Sequence, residues 1–149
     1  MSRFPTGVTV VAARSGDAAA PFGLTVNSFT SVSLDPPLVL VCIHRRAGSH
    51  DRLLEARTFA ISVLAVDQGE LAKRFAFGPA GDRFEGVVWN EAPAGSPVLD
   101  GAVAWLECSI DEVMPGGDHS IVLASVGASA SSGGEALAFY HGEYGRVVS

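Results

Sequence analysis

Alternating apolar and polar positions, rich in β-branched residues, predict that most of this chain forms β-strands. The alternation runs through residues 7–14 and again through 22–27, with a loop predicted between them at 15–21. Residues 28–34 alternate in the same way and lead to a stop at 35–37, which is Asp-Pro-Pro. Because proline has no N–H to give to a strand ladder, we expect a new strand after this stop.

The new strand is predicted at residues 38–43, which form the longest unbroken apolar stretch of the chain, six residues in all. A strand that is apolar at every position is typical of one that is covered on both faces. We therefore expect this strand to lie in the centre of a sheet.

Two segments have helical patterns. Ser49 is the predicted N-cap of a helix over residues 50–56, where an acidic first turn and Arg57 in the last turn suit the helix dipole. Residues 58–66 return to strand composition. The helix is therefore expected to lie between two strands.

The second helix is predicted from a capping box. Asp67 and Glu70 have the required spacing, and apolar residues follow on one side of the helix. These apolar residues are Leu71, Ala72, Phe75 and Ala76. A Gly-Pro-Ala-Gly turn at residues 78–81 is expected to end the helix.

The carboxyl-terminal half is dominated by one predicted hairpin. Residues 102–113 and 119–126 are strand-like, and the Gly-rich break between them suits a turn. Residues 82–100 are turn-rich and receive no element, residues 128–135 are a predicted turn, and 137–140 form a last short strand. About seven or eight mostly antiparallel strands with two helices indicate an all-β barrel with peripheral helices.

Composition narrows the class of protein. The chain has 149 residues with 48% hydrophobic content, which suits one folded domain with a real core. The net charge is −6 and no basic run exceeds two residues, so we expect no nucleic-acid partner. The longest apolar stretch falls far short of the ~20 residues of a membrane span, and no signal peptide follows Met1. We expect a soluble, cytoplasmic protein without a membrane partner.

The two cysteines give no sign of a cross-link or a metal. Cys42 and Cys108 lie alone inside apolar runs, without a Cys-x-x-Cys motif or a metal-like Cys/His spacing. Both are expected to be reduced core thiols, and no metal is predicted.

A polar segment at a strand-to-strand junction is the first candidate for chemistry. Residues 25–31 (Thr-Val-Asn-Ser-Phe-Thr-Ser) hold five hydroxyl or amide side chains in seven positions. Such groups suit the polar edge of a heterocycle or an uncharged part of a phosphate ester. A solvated strand face followed by a turn has the same composition, so both alternatives stay open.

Three more segments are candidates. Residues 44–50 (His-Arg-Arg-Ala-Gly-Ser-His) suit a phosphate, although an ordinary exposed loop has the same composition. In residues 116–119 (Gly-Gly-Asp-His) a hairpin turn explains all but His119, which suits ligand orientation or proton transfer unless it is a surface residue. Aromatic residues at 139–144 could cover a flat ring or pack the last strand. No nucleophile-elbow, P-loop, zincin or Rossmann motif is present.

Four ordered segments resemble the short-chain flavin reductase family. They are residues 4–11, 23–39, 116–119 and 140–144, and together they extend over nearly the whole chain. The resemblance implies a mainly β fold: an FMN-binding split β-barrel, antiparallel and of Greek-key type, with two or three peripheral helices. It also implies that residues 1–149 form a single flavin reductase-like domain.

The resemblance further implies the function. Hydride would pass from NADH or NADPH to FMN or FAD in a homodimer that holds flavin near the subunit interface. Reduced flavin would then be supplied to a flavin-dependent monooxygenase partner. A flavin-binding module without reductase activity and a purely structural β-barrel are the two alternatives, because fold analogy alone does not separate them.

Residue roles also follow from the resemblance. The residues implied at the isoalloxazine ring and ribityl chain are Thr25, Val26, Asn27, Ser28 and Phe29, with Ser31 and Val32 close behind. Those implied at the flavin phosphate or adenylate are Arg45, Arg46 and Ser49, and those at the far edge are Phe75, Arg83 and Phe84. His119, the implied catalytic residue, would face the nicotinamide together with His141 and Tyr144.

Two features depart from the family pattern. Members usually have a helix before the Phe-Pro-Thr-Gly segment at residues 4–7, so we expect a short or missing amino-terminal helix. Ala47 and Gly48 stand where a hydroxyl residue is common, which weakens the expected phosphate site.

Overall fold

A computed structural model describes residues 2–15 and 20–148. The strands are β1 (Thr6–Gly7), β2 (Thr9–Arg14), β3 (Pro21–Val26), β4 (Thr30–Leu34), β5 (Pro37–His44), β6 (Thr58–Val63), β7 (Trp89–Glu91), β8 (Pro97–Leu99), β9 (Ala104–Gly116), β10 (His119–Ser131), β11 (Leu137–Tyr140) and β12 (Glu143–Arg146). The helices are α1 (His50–Ala56) and α2 (Gly69–Phe77), and one 3-10 turn covers Ala80–Asp82. Most of the loop predicted at 15–21 lies outside the described residues.

The strands form antiparallel sheets. The largest has seven strands in the order β3-β2-β6-β9-β10-β5-β4. A three-stranded sheet has the order β1-β11-β12, and β7 pairs with β8. The predicted mainly β, antiparallel architecture with peripheral helices is confirmed.

The seven-stranded sheet curls until its edges meet. β3 and β4 follow one another in the chain yet lie at opposite edges of the sheet. In the segment between them, the hydroxyl of Ser28 accepts a hydrogen bond from Cys42 N (2.9 Å) and donates one to Cys42 O (3.0 Å). One core cluster collects inward side chains from six of the seven strands and Leu53 of α1, which only a strongly curved sheet places together.

A second core lies on the other face of β2. Val8 and Val10 are fully buried there against Ala72 and Phe75 of α2. The three-residue spacing of Ala72 and Phe75 puts both on one face of the helix, as the sequence predicts. This packing fixes α2 beside β3, where the candidate polar segment begins.

The prediction that residues 38–43 are a central strand is wrong. β5 is the second strand from the edge, between β10 and β4. Val39, Val41 and Ile43 are buried inside the barrel, whereas Leu38 and Leu40 are only half-buried on the outside. The outer face is apolar although the described residues cover it only in part, so an unbroken apolar run does not here mean a central position.

Both predicted side-chain caps are wrong. Ser49 precedes α1 with near-helical backbone angles and makes no side-chain cap bond, while Arg57 follows the helix with φ +66. At α2 the N-cap is Gln68, again without a side-chain cap bond. Its amide instead accepts from Ala65 N (2.8 Å) and donates to Asp100 O (2.9 Å). These two bonds to loop backbone fix the turn before α2, so no capping box is formed there.

The long hairpin is confirmed, but its strands run further than predicted. Irregular pairing around Val126 lets β10 continue to Ser131 against β9, so the turn expected at 128–135 begins later. Gly117 has φ +71 in the two-residue turn, where a side chain would be strained. The unassigned region 82–100 contains β7 and β8, and β12 was not predicted. Strands therefore outnumber the expected seven or eight among the described residues.

Within residues 2–15 and 20–148, no helix is both long and apolar enough to cross a membrane.

Candidate active site

A cavity of about 950 Å³ opens where three parts of the fold meet. Its walls come from the end of β3, the end of β5 with the start of β10, and one face of α2 with the β11–β12 turn. Six of the predicted site residues line it: Thr25, Val26, Asn27, Ser28, His119 and Tyr144. With His44, the lining takes at least one residue from each of the four candidate segments of the sequence.

Residues 25–28 of the polar segment supply one wall of the cavity, and two of their three polar side chains bond to backbone of neighbouring elements. Thr25 Oγ1 donates to the carbonyl of Ala72 on α2 (2.6 Å), and Ser28 bonds both backbone groups of Cys42. Asn27 Oδ1 is buried and has no partner among the described residues. A buried oxygen of this kind is costly unless a donor reaches it, so it suits a ligand N–H.

The α2 wall consists of Gly69, Glu70, Lys73, Ala76 and Phe77. This helix face adjoins the one that carries Ala72 and Phe75 into the core, so packing of the core aims it at the cavity. Lys73 is the only lysine of the sequence. Its Nζ lies 3.4 Å from Glu70 Oε1, a long contact between two exposed side chains. The ammonium is therefore available to an anionic ligand.

The carboxyl-terminal segment closes the cavity with aromatic rings. Phe139 of β11 and Tyr144 of β12 pair in register, and their ring centroids lie 5.1 Å apart. Burial raises the pKa of Tyr144 above its usual value, and the charge of Lys73 offsets part of this rise. The phenol is thus a neutral hydrogen-bonding group at neutral pH. Its neighbourhood suits a flat, partly polar ring.

Two histidines, His44 and His119, stand in the third wall, and a carboxylate lies next to them outside the lining. His119 lies opposite His44 in the β10–β5 register, and Asp118 occupies the turn beside them. Asp118 Oδ1 lies 2.7 Å from His119 Nδ1, and this hydrogen bond lowers the pKa of Asp118. The carboxylate is therefore ionised at neutral pH.

The residues predicted at the flavin phosphate lie outside this lining. Arg45 and Arg46 are exposed in the turn after β5, next to His44, and Arg46 N donates to His44 Nδ1 (3.0 Å). Ser49 is buried before α1. Their contacts with a phosphate or an adenylate stay predictions.

The far-edge group is part of the second core. Phe75 is fully buried, and its ring meets that of Phe84 edge-on at 4.9 Å. Arg83 donates to the carbonyls of Gly78 (3.0 Å) and Gly23 (2.9 Å), and burial lowers its pKa. These residues support the walls of the cavity without lining it, and their contact with flavin stays a prediction.

The last four predicted residues also lie away from the lining. Phe29 packs against the barrel core, whereas Ser31 and Val32 are exposed on β4. His141 has φ +53 in the β11–β12 turn, and its N–H donates to Ser2 O (2.8 Å). The contacts of these four residues with a cofactor stay predictions.

Several lining residues were not among the predicted site residues, notably His44, Lys73 and Phe139. Strand alternation could have predicted His44, because every second residue of β5 points to the same face and this places His44 on the face of Cys42 and Leu40. Helical spacing could have predicted Lys73, because residues four apart share a helix face and Lys73 lies four residues after Gly69. Within the two described ranges, no cluster of His, Cys, Asp or Glu could hold a metal ion.

Comparison with known proteins decides the family. The flavin reductase like domain matches residues 1–147. The chain belongs to this flavin reductase family. The family's split-barrel fold agrees with the curled sheet described above, which confirms the predicted fold class.

Two relatives from bacteria give the level of similarity. The stachydrine N-demethylase reductase subunit Stc3 of Rhizobium meliloti is 45% identical over 141 residues, covering 95% of this chain and 60% of the relative. The reductase component of the flavin-dependent trigonelline monooxygenase of Acinetobacter baylyi is 40% identical, covering 95% of this chain and 45% of the relative. The chain thus spans roughly half the length of these family members.

A solved structure of the family is similar over almost the whole chain. It is the NADH:FAD oxidoreductase SgcE6 of Streptomyces globisporus C-1027 in complex with NAD and FAD fragments. The TM-score is 0.91 at 43% sequence identity, with 99% of this chain and 88% of that chain covered.

Proposed function

We propose that this flavin reductase family member is an NAD(P)H:flavin oxidoreductase that transfers hydride from NADH or NADPH to FMN or FAD. The observation that carries the proposal is the cavity of about 950 Å³ that joins the Thr25–Ser28 wall to His119 and Tyr144. Its volume falls in the range of small-molecule and cofactor pockets, roughly 300–1,000 Å³. Membership of the family supports the same activity.

The lining fits a flavin ring. Leu24, Val26 and Phe139 offer apolar surface, and the unpartnered oxygen of Asn27 requires an N–H donor. An isoalloxazine ring has apolar faces and an imide N–H, so it meets both requirements. Asn27 is therefore the residue we assign to the polar edge of the ring.

Lys73 and the arginines after β5 would hold phosphate. Lys73 supplies a permanent positive charge at the cavity wall, and Arg45 and Arg46 stand exposed beside His44. Flavin and nicotinamide nucleotides both carry phosphate, which a net charge of −6 would otherwise repel. The local positive charge of these three side chains would offset this repulsion.

His119 and Tyr144 would orient the nicotinamide. When both cofactors are bound, hydride passes directly between their rings, and that chemistry belongs to the cofactors. The chain's part is to hold two flat rings in contact and to exclude water. His119 contributes a ring nitrogen, Nε2, which has no partner in the described part of the chain. No side chain is required as a nucleophile.

We further propose that the chain acts as a homodimer. On the outer face of the barrel, Leu38, Leu40 and Cys42 of β5 lie opposite Ser125, Leu123 and Ile121 of β10, and all are only half-buried. β4, which pairs with β5 at the edge of the sheet, also exposes two apolar side chains, Val32 and Leu34. Because the face continues into the cavity at Cys42 and His44, a second copy would border the cofactor site.

We also propose a partner and a cellular location. One relative named above is the reductase subunit of a stachydrine N-demethylase, and the other is the reductase component of a flavin-dependent trigonelline monooxygenase. The second supports the supply of reduced flavin to a flavin-dependent monooxygenase. Both cysteines are free, which suits a cytoplasmic location. That residues 1–149 form one flavin reductase-like domain also stays a proposal.

An absorbance assay tests the activity. Oxidation of NADH and NADPH is followed with FMN and with FAD as acceptors, using heat-denatured protein as the control. We expect oxidation that depends on both the protein and an added flavin. A yellow protein that holds flavin but oxidises neither nicotinamide would instead establish the binding module without reductase activity.

A further inference from the structure

His44 has no role in the proposed function, yet it stands opposite His119. The two residues are register partners across β5 and β10, and their ring centroids lie 5.0 Å apart with an interplanar angle of 65°. Both line the cavity. His44 is therefore placed to act on His119.

Asp118 lies between the two rings. Its Oδ1 is 2.7 Å from His119 Nδ1, which is a hydrogen bond, and its Oδ2 is 3.8 Å from His44 Nε2, which is too long for a hydrogen bond. The two oxygens of one carboxylate thus face two different histidines. Arg45 N donates to the backbone carbonyl of Asp118 (2.9 Å), so the turn that carries this carboxylate is held to the end of β5.

The hydrogen bonds assign the ring protons. Arg46 N–H donates to His44 Nδ1 (3.0 Å), so that nitrogen is an acceptor and the ring hydrogen of His44 is on Nε2, facing Asp118. An ionised carboxylate only accepts, so His119 must donate from Nδ1. Nε2 of a neutral His119 is then left as an acceptor, without a partner among the described residues.

We infer that Asp118 and His44 are positioning residues for His119. Asp118 fixes the tautomer that keeps Nε2 of His119 free, and the N–H of His44 steadies the second oxygen of Asp118. The inference rests on the proposed function, because the ligand that Nε2 would accept from is the carboxamide N–H of NADH or NADPH. A histidine without these partners exchanges between tautomers and presents the acceptor only part of the time.

Four substitutions separate the effect of Asp118 on His119 from the effect of His44 on Asp118. Asp118→Ala removes both oxygens, whereas Asp118→Asn keeps an acceptor for His119 and loses the charge. His44→Asn keeps an acceptor for Arg46 N–H but cannot reach Asp118, and His44→Gln keeps a donor near Asp118. Glu55→Gln, at an exposed position of α1 that does not line the cavity, is the control for loss of a surface charge.

Nitrogen-15 NMR of the histidine rings tests the tautomer without any cofactor. In the unsubstituted chain and in Asp118→Asn, at a pH where the ring is neutral, we expect His119 to carry its hydrogen on Nδ1. In Asp118→Ala we expect a mixture or the Nε2–H form. The inference is overturned if His119 carries its hydrogen on Nε2 in the unsubstituted chain, or if Asp118→Ala leaves the tautomer unchanged.

Kinetics test the consequence for the nicotinamide. We expect Asp118→Ala to raise the KM for NADH or NADPH about tenfold and His44→Asn about threefold, with the KM for flavin and kcat unchanged within about twofold. His44→Gln should restore most of the loss, and Glu55→Gln should match the unsubstituted chain. Equal increases in both KM values would contradict the inference. If the unsubstituted chain oxidises neither nicotinamide, the proposed function fails, and the NMR result alone decides the tautomer.

Discussion

At the scale of single residues, the side chains of the Thr25–Ser28 wall divide between structure and ligand. Thr25 and Ser28 bond the backbone of neighbouring elements, whereas Asn27 Oδ1 has no partner in the described part of the chain. All three belong to one polar run, and composition predicts the run as a site without distinguishing them. Whether one of these side chains is structural or free for a ligand depends on which backbone groups of α2 and β5 lie within its reach. That is a property of the tertiary fold.

Asn27→Leu tests whether the unpaired oxygen is kept for a ligand. The substitution removes the buried oxygen at nearly constant size, so we expect the unliganded protein to be as stable as before or more stable by about 1 kcal/mol. Flavin affinity should fall about tenfold. Thermal unfolding without cofactor and flavin titration measure the two effects. A loss of stability with unchanged flavin affinity would show that Asn27 is a structural residue.

At the scale of elements, α2 has one face in the core and a neighbouring face on the cavity. One face packs Ala72 and Phe75 into the second core, and the next presents Glu70 and Lys73 to the cavity. The bond from Thr25 Oγ1 to Ala72 O (2.6 Å) fixes the helix to β3. Periodicity predicts the core face and the approximate bounds of the helix. It does not predict the start, because the Gln68 side chain bonds both to Ala65 N, just before the helix, and to Asp100 O, in a loop far along the sequence.

Lys73→Gln tests the cavity face of α2. Removing the positive charge should weaken binding of FMN about five- to tenfold and leave binding of riboflavin, which has no phosphate, unchanged. Glu70→Gln removes negative charge from the same face, so it should tighten FMN. Fluorescence titration with the two flavins measures both affinities. Equal losses for FMN and riboflavin would mean that Lys73 does not contact the flavin phosphate.

At the scale of the whole molecule, the barrel has an apolar outer face that adjoins the cavity. The sequence predicts the apolar run of β5 correctly, but burial within one chain accounts only for Val39, Val41 and Ile43. Leu40 and Cys42 stay half-buried because no other part of the described chain covers them. The wrong prediction of a central strand thus has a physical reason: apolar composition alone does not tell whether the same chain covers both faces of a strand.

Leu40→Glu tests the proposed dimer. A carboxylate in the middle of the apolar face should oppose burial against a second copy, and so shift the protein from dimer to monomer and weaken flavin binding. Val88→Glu, at a position that is already 66% exposed between α2 and β7, is the matched control and should leave the mass unchanged. Light scattering after size exclusion gives the mass. A monomeric unsubstituted chain that still binds flavin would refute the proposal.

The central claim, that the protein transfers hydride from a nicotinamide to flavin, is tested most directly by observing that transfer. The protein is loaded with FMN or FAD without oxygen and mixed rapidly with NADH, then with NADPH, while the visible absorbance of the flavin is recorded. We predict that at least one of the two nicotinamides bleaches the bound flavin, and that His119→Ala slows this more than it weakens flavin binding. Bound flavin that neither NADH nor NADPH reduces would contradict the central claim.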